Sequence, residues 1–205
     1  MKRFANRVTA VVVTLALAVG LGFSLAACSS SSNNDKDLIT KGITEMLDNF
    51  KNPTEASLSE YVAGNEAQLA QLEAYGVDYV ELFQHLFKHF DYTINDVQID
   101  GDKAVVKMTV ENINVSNVMN DATAKLQNDS EFVSAVQSAY LSGGEKAAMK
   151  IVFDELYAEM DASTDIVKSD VELTCTKKNG QWEPDEASVN ELVSKVYGGL
   201  DLSSL

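Results

Sequence analysis

The chain has 205 residues, with 16 basic and 31 acidic side chains, a formal net charge of −15 and 45% hydrophobic residues. This length and apolar content suffice for one folded domain with a sizeable core. So acidic a surface repels nucleic acid, and we therefore exclude nucleic acid as a partner. Every basic residue after Arg7 is a lysine, so the chain also lacks the guanidinium groups that commonly hold phosphate or carboxylate ligands.

The first 27 residues have the pattern of a secretory signal peptide. A basic start precedes an uncharged, mostly apolar run over residues 8–25, and small residues follow it. An uncleaved transmembrane anchor is the alternative, because the apolar run approaches the ~20 residues that span a bilayer. Gly20 and Gly22 within the run favour cleavage. The basic residues of the start are Lys2, Arg3 and Arg7.

The signal ends in Leu25-Ala26-Ala27-Cys28, which resembles the lipobox of bacterial lipoproteins. In that family the signal is cleaved before the cysteine, and the thiol receives a diacylglyceryl group. The resemblance therefore implies that Cys28 is the lipid attachment site, with palmitate-type acyl chains. About two such chains are needed for stable anchoring. We expect the protein to be held by membrane lipid at the extracytoplasmic face of a cell membrane, in a Gram-positive or a Gram-negative envelope.

Residues 28–36 are predicted to be the lipidated cysteine and a polar tether. Serine and asparagine fill positions 29–34, and six such residues reach about 20 Å when extended. A single domain is predicted over residues 37–199, followed by a frayed tail over residues 200–205. Cleavage removes three basic residues and no acidic one, which leaves 13 lysines against 31 acidic residues and a net charge of −18.

Hydrophobic residues recur at helical spacing through the first part of the domain. Asn52-Pro53, Gly64 and Gly76 separate the helical stretches, and Asp78 is the predicted N-cap of the last of them. That helix is apolar around much of its circumference, so we expect it to be central to the core. The predicted helices span residues 37–50, 57–62, 66–75 and 78–90.

The hydrophobic period then changes from 3.6 to 2, which predicts a β-hairpin. Its strands span residues 92–99 and 104–113, with a turn at residues 100–103. Alternate residues of the second strand are apolar, which is typical of a sheet with one buried face. A phase slip between Ile94 and Val97 predicts a β-bulge.

A helical block over residues 116–160 follows, interrupted at Gly143-Gly144. A second hairpin, with strands over residues 165–177 and 181–183, is predicted around Asn179-Gly180, which is a strong turn signal. Asp185 is the predicted N-cap of a final helix. The whole pattern predicts an α+β domain: an antiparallel sheet of about four strands in two hairpins, packed against helices, with a helical insertion between the hairpins.

Parts of this pattern resemble uncharacterised bacterial lipoproteins with a cystatin-like or nuclear-transport-factor-2-like domain. The resemblance covers residues 37–184 and depends on the strand pair beginning Asp96-Val-Gln-Ile-Asp-Gly-Asp-Lys and the hairpin Lys178-Asn-Gly-Gln-Trp-Glu. It implies a cone-shaped sheet around a helix, often with a pocket. The helical block departs from the family layout, and the architecture implies no particular activity because it hosts both enzymes and binding modules.

No residue pattern in the chain predicts a metal or a cofactor. His85 and His89 lie one helical turn apart, but no further histidine or second free cysteine completes a metal site. The acids from Asp96 to Asp102 fail the calcium-loop pattern, since glutamine occupies its third position and lysine its twelfth. We also find no catalytic serine motif. Cys175 alternates with apolar strand residues and is predicted to be a buried, free thiol.

A pocket is predicted between the sheet and the helix over residues 78–90. His89 and Tyr92 lie where that helix meets the first strand, and Trp182 lies on the closing hairpin, so these three are the candidate pocket residues. We expect a membrane-anchored, non-enzymatic binding or interaction module with a small-molecule or envelope-protein partner. The alternatives are a small pocket enzyme of lyase or isomerase type and a purely structural envelope lipoprotein.

Overall fold

The structure is a computed structural model that describes residues 32–62 and 66–199. The predicted signal peptide, the lipobox, the lipid attachment site Cys28 and the predicted tail over residues 200–205 lie outside the described residues. Within these ranges the chain forms seven helices and four strands. The helices are α1 Ser32–Lys51, α2 Glu55–Val62, α3 Glu66–Ala74, α4 Tyr79–Leu86, α5 Val115–Asn128, α6 Ser130–Ala162 and α7 Glu186–Val196. The strands are β1 Asp91–Asp100, β2 Lys103–Ile113, β3 Ile166–Lys178 and β4 Gln181–Pro184.

The four strands form one open antiparallel sheet in the order β1-β2-β3-β4. This confirms the predicted α+β class with two hairpins and a helical insertion between them. The register shifts between Ile94 and Asp96, which confirms the predicted bulge. The second turn contains Asn179 at φ 53° and Gly180 at φ 82°, the pair of positive φ values that a tight hairpin turn requires.

One face of the sheet is buried under helices α1 and α7. Alternate residues of β2 and β3 point into this interface and are almost inaccessible, as alternation in a half-buried strand requires. Helix α1 lies against β1, and α7 lies against β2 and β3. Helices α5 and α6 pack on each other, and α4 packs mainly on α6. The buried strand residues include Ala104, Val106, Met108, Val110, Val171, Leu173, Cys175 and Trp182.

The structure corrects the prediction for the segment over residues 78–90. Asp78 is the N-cap, accepting hydrogen bonds from the backbone N–H groups of Val80 (2.7 Å) and Glu81 (3.3 Å). The helix, however, ends at Leu86 rather than Phe90. The segment does not lie on the sheet, because α1 and α7 occupy that position. The predicted pocket between this segment and the sheet is therefore not formed in the described part of the chain.

The folded region also begins earlier than predicted. Helix α1 starts at Ser32 and Asp35 is only 8% exposed, so the end of the predicted tether over residues 28–36 belongs to the domain. The helical block also contains one long helix, α6, broken at Gly144, whose φ of 74° and ψ of −163° are non-helical. The predicted interruption at Gly143-Gly144 is thus confirmed, and glycine is needed there because φ is positive.

Burial protects the thiol of Cys175, which is confirmed as free and 2% exposed. Desolvation raises its pKa to about 11, so little reactive thiolate forms near neutral pH. We expect a thiol reagent to modify Cys175 at least tenfold more slowly in the folded protein than in denaturant. A cysteine introduced at exposed Thr164 is the matched control and should react fast in both states. Equal rates for Cys175 in both states would contradict this prediction.

Gly198 fixes the end of α7 against β2. Its φ is +67°, and a Cβ built on it would lie 1.9 Å from the carbonyl oxygen of Ile113. Gly199 has a similar φ of +78° with open space around it, so it shares the backbone strain without the clash. We expect Gly198→Ala to lower the free energy of unfolding by about 2 kcal/mol more than Gly199→Ala. Urea denaturation of both variants measures the difference, and similar losses would refute the clash.

Candidate functional site

The three candidate pocket residues do not come together in the structure. Tyr92 pairs with Val110, which pairs with Ser169, whereas Trp182 pairs with Lys177. Ser169 and Lys177 are eight residues apart on β3, which corresponds to about 26 Å along the strand. His89 and Tyr92 therefore lie at one end of the sheet and Trp182 at the other, so no single pocket contains all three.

Tyr92 connects the first strand to α1. Its hydroxyl donates a hydrogen bond of 2.7 Å to Asp48, and Lys51 lies 5.6 Å from the centre of its ring. Partial burial, followed by the hydrogen bond to Asp48, raises the pKa of Tyr92 to about 12. The phenol therefore stays neutral at physiological pH and positions α1, rather than offering a titratable group to a ligand.

His89 belongs to a polar cluster around Asp161, the last acidic residue of α6. His85 Nδ1 lies 2.7 Å from one carboxylate oxygen of Asp161, and Lys88 Nζ lies 2.7 Å from the other. His89 Nε2 lies 3.0 Å from the backbone carbonyl oxygen of Asp161. A carbonyl oxygen can only accept, so Nε2 of His89 carries the proton. We call these four residues the Asp161 cluster.

The electrostatics of the Asp161 cluster favour an ionised carboxylate. Partial burial opposes ionisation, but the hydrogen bonds from His85 and Lys88 outweigh it and lower the pKa of Asp161. The imidazole of His85 also stacks on Tyr157, with ring centres 4.3 Å apart and planes inclined by 11°. The Tyr157 hydroxyl is buried without a hydrogen-bond partner among the described residues, and desolvation raises its pKa.

The His85 ring is thus held at one edge by the contact of Nδ1 with Asp161 and on one face by the ring of Tyr157. Such a carboxylate–imidazole contact fixes the tautomer of a general base, as in catalytic triads. A triad also needs a nucleophile, yet in the described part of the chain His85 makes no hydrogen bond to a hydroxyl or thiol. These residues therefore join α4 and the residues just after it to the end of α6. The sequence pattern drew attention to His85 and His89, but it gave no sign of Asp161, which lies 76 residues after His85.

Trp182 lies in a second cluster at the opposite end of the sheet. It is fully buried, and the ammonium group of Lys177 lies 5.5 Å from the centre of its ring. The same ammonium donates a 2.8 Å hydrogen bond to Asp35, near the start of α1, with the two side chains 20% and 12% exposed. That hydrogen bond lowers the pKa of Asp35. The Trp182 N–H lies near the same carboxylate and helps to lower this pKa, although it is outside hydrogen-bonding geometry.

We call Asp35, Lys177 and Trp182 the α1 latch. Water screens the attraction in this shielded ion pair less than at the surface, while burial of the two charges carries a desolvation cost that opposes it. It joins the first turns of α1 to the β3–β4 hairpin across 142 residues of sequence. Sequence reasoning missed the latch, since Asp35 looked like the end of a polar tether.

The outward face of the sheet is open and polar. Across its first three strands, the Asn95 amide donates to Thr109 (2.8 Å), and the Thr109 hydroxyl donates to Asp170 (2.8 Å). Ion pairs Lys107–Glu172 and Lys168–Glu111 flank this row. Pre-ordered hydrogen-bonding groups on a rigid sheet suit contact with a polar partner, because little ordering entropy remains to be lost on binding.

The described residues also form an apolar crevice between α1 and α7. It is too narrow to admit a water molecule, and its lining consists of Met46, Leu47, Phe50, Leu192, Val193, Val196 and Tyr197. Burial raises the pKa of Tyr197, which keeps the phenol neutral. No group of three or more His, Cys, Asp or Glu side chains in the described ranges is arranged to hold a metal ion. No helix of residues 32–62 and 66–199 is long and apolar enough to cross a membrane.

Comparison with known protein families and with curated protein sequences finds no match. Among solved structures, the chain is similar to the crystal structure of a "putative lipoprotein (ycdA)" from Bacillus subtilis subsp. subtilis str. 168, with a TM-score of 0.42 and 19% sequence identity. The match covers 78% of this chain and 55% of the other. The chain thus spans about half the length of that protein. A likeness at this level establishes neither a shared fold nor a shared function, and the cystatin-like or nuclear-transport-factor-2-like domain stays a prediction.

Removing the Asp161 carboxylate tests its role in joining α4 to α6. We expect Asp161→Asn to lower the free energy of unfolding by about 1–2 kcal/mol, since two charge-assisted hydrogen bonds are lost. Because the folded-state pKa is lowered, this contribution is fully present above the unfolded pKa of about 3.9 and is lost as pH falls through the folded value. The difference between wild type and variant should therefore vanish in acid.

Asp154 on the same helix is the matched control for this measurement. It pairs with Lys150 at i,i+4, where both side chains are more than half exposed, so Asp154→Asn should cost less than about 0.5 kcal/mol. Thermal or urea unfolding of wild type and both variants at pH 7 and pH 3 measures the loss in unfolding free energy for each variant at each pH. If Asp161→Asn lowered the unfolding free energy equally at pH 3 and pH 7, Asp161 could not be stabilising the fold as an ionised carboxylate.

Proposed function

We propose that this chain is an exported bacterial lipoprotein whose domain acts at the membrane as a non-enzymatic interaction module. The observation that carries the proposal is the signal pattern over residues 1–27 ending at Leu25-Ala26-Ala27-Cys28. The pattern combines a basic start, an apolar run and a small-residue cleavage site with a thiol at the position that lipidation requires. The diacylglyceryl group supplies the membrane affinity, so the domain itself needs no apolar patch.

The geometry of the domain supports an interaction role over catalysis. Its open sheet face offers ordered amide, hydroxyl and carboxylate groups, as the row from Asn95 to Asp170 illustrates. Helix α6 adds two exposed apolar side chains just before its break, Tyr140 (55% exposed) and Leu141 (86%). Polar rows with a few exposed aromatic or aliphatic side chains are typical of contact surfaces between proteins. The partner we propose is therefore another envelope protein or a polar small molecule.

One observation favours a small acid–base enzyme as the second candidate. Asp161 orients the imidazole of His85, whose side chain is 27% exposed and so reaches solvent at one edge. A substrate would have to bind over that edge. Purified His85→Gln and wild-type proteins would be compared for turnover of lyase and isomerase substrates. Turnover by wild type that His85→Gln lacks would establish this second function instead.

Lipidation of Cys28 is tested directly in cells. We expect a fatty-acid analogue to label the wild-type protein and not the Cys28→Ala variant, because the thiol is the acceptor. The mature protein should have lost residues 1–27, which mass spectrometry detects. Cys175→Ala, which removes the other cysteine, is the matched control and should retain the label. Label that persists in Cys28→Ala, or a mature mass that includes residues 1–27, would overturn the proposal.

A further inference from the structure

Both hairpin turns lie at the same end of the sheet as the start of α1. The backbone N–H of Lys177, next to the β3–β4 turn, donates to the carbonyl of Asp102 in the β1–β2 turn (2.8 Å). The side chain of the same lysine bonds to Asp35. Lys36 also pairs with Asp96 of β1 (3.6 Å), and Lys51, at the far end of α1, pairs with Asp91. Helix α1 therefore runs from the turn end of the sheet toward the opposite end.

We propose that the α1 latch orients the anchored domain, so that both hairpin turns face the membrane surface and the Asp161 cluster faces away from it. This inference rests on the proposed lipid anchor at Cys28. Asp35 is seven positions after Cys28, and a chain of that length spans at most about 25 Å even when fully extended. The start of α1 is therefore confined close to the bilayer.

The reversed orientation exceeds this reach. From Lys178 at the turn end to Ile166 at the opposite end, β3 extends over 13 residues, which is about 40 Å. If the opposite end touched the membrane, Asp35 would lie about 40 Å above it, and seven residues could not bridge that distance. The Asp161 cluster belongs to this far end, because α6 ends at Ala162 and β3 begins at Ile166.

The surface at the turn end fits the polar headgroup region rather than the hydrocarbon core. Its turn residues are polar and exposed: Asp100, Asp102, Lys103, Lys178, Asn179 and Gln181. The large apolar side chains that are exposed in the described chain, Tyr140, Leu141 and Ile166, belong to α6 and to the far end of β3. The lipid therefore provides the affinity for the membrane, and the α1 latch determines which end of the domain faces it. Partners in the surrounding space meet the far end and the open sheet face first.

Energy transfer on vesicles tests the orientation. The mature lipidated protein would be bound to neutral phosphatidylcholine vesicles that contain a headgroup-labelled acceptor lipid. A donor dye would be placed on a cysteine at exposed Gln181, beside the turn, or at exposed Thr164, at the far end, with Cys175 left unlabelled in the folded protein. We expect several-fold more transfer from position 181 than from position 164. Equal transfer, or more transfer from position 164, would overturn the inference.

Two further measurements distinguish the lipid anchor, the orientation of the domain and the role of the α1 latch. Lipidated protein that fails to bind the vesicles would overturn the proposed function, whereas binding with equal transfer overturns only the orientation. Asp35→Ala should reduce the difference between the two donor positions, because a released first turn lengthens the tether. Glu45→Ala, which removes an exposed i,i+4 partner of Lys41 on the same helix, is the matched control and should leave the difference unchanged. If the difference in energy transfer between positions 181 and 164 were unchanged in Asp35→Ala, the α1 latch would not determine the orientation.

Discussion

The apolar inner face of the sheet determines where the main helices lie. Alternate residues of β2 and β3 are almost fully inaccessible, and such a surface is stable only when another layer removes it from water. Helices α1 and α7 form that layer. At the far end of the sheet, Asn112 bonds through its amide to the carbonyl of Val196 (2.8 Å), with no exposed surface. Together with the hydrogen bond from the backbone N–H of Asp185 to the carbonyl of Thr174 (2.8 Å) at the start of α7, this contact fixes the axial position of the helix on the strands.

Packing in the remaining helices follows from this arrangement. Because α1 and α7 occupy the sheet, the aromatic residues that follow Asp78 pack behind them, with Phe87 meeting Phe50 of α1 and Tyr197 at ring distances of 5.2 and 5.3 Å. Such edge-on contacts add to the energy of area burial. Side chains of α1, of the segment after Asp78 and of the end of α7 therefore fill this part of the interior, and the crevice that remains between α1 and α7 excludes water.

Local sequence signals predicted most of the helices, strands and turns, whereas they did not predict contacts between residues that are distant in sequence. Period-2 alternation, the bulge near Ile94 and the turn at Asn179-Gly180 all act between neighbours in sequence, so they were visible in advance. The helix after Asp78 ends at Leu86, although Phe87 and Phe90 beyond it are also buried, so the apolar run did not mark where the helix stops. Asp35 and Asp161 find their partners 142 and 76 residues away, and no periodicity encodes such pairs. The predicted grouping of His89, Tyr92 and Trp182 did not form because the strand register, which the sequence did not reveal, places Tyr92 and Trp182 at opposite ends of the sheet.

The two edges of the sheet bear on how this protein behaves among its own copies. The lipid anchor that we propose would concentrate the protein in two dimensions, where unpaired strand edges meet often and can join into larger sheets. Here the ten-residue edge β1 is interrupted by a bulge and flanked by the lysine–aspartate pairs from α1. The other edge consists of β4, which has only four residues and ends at Pro184 without an N–H to donate, and of residues 166–174 of β3, which pair with β2 alone. The bulge in β1 and the proline that ends β4 therefore make these two strands poor templates for joining with a second copy.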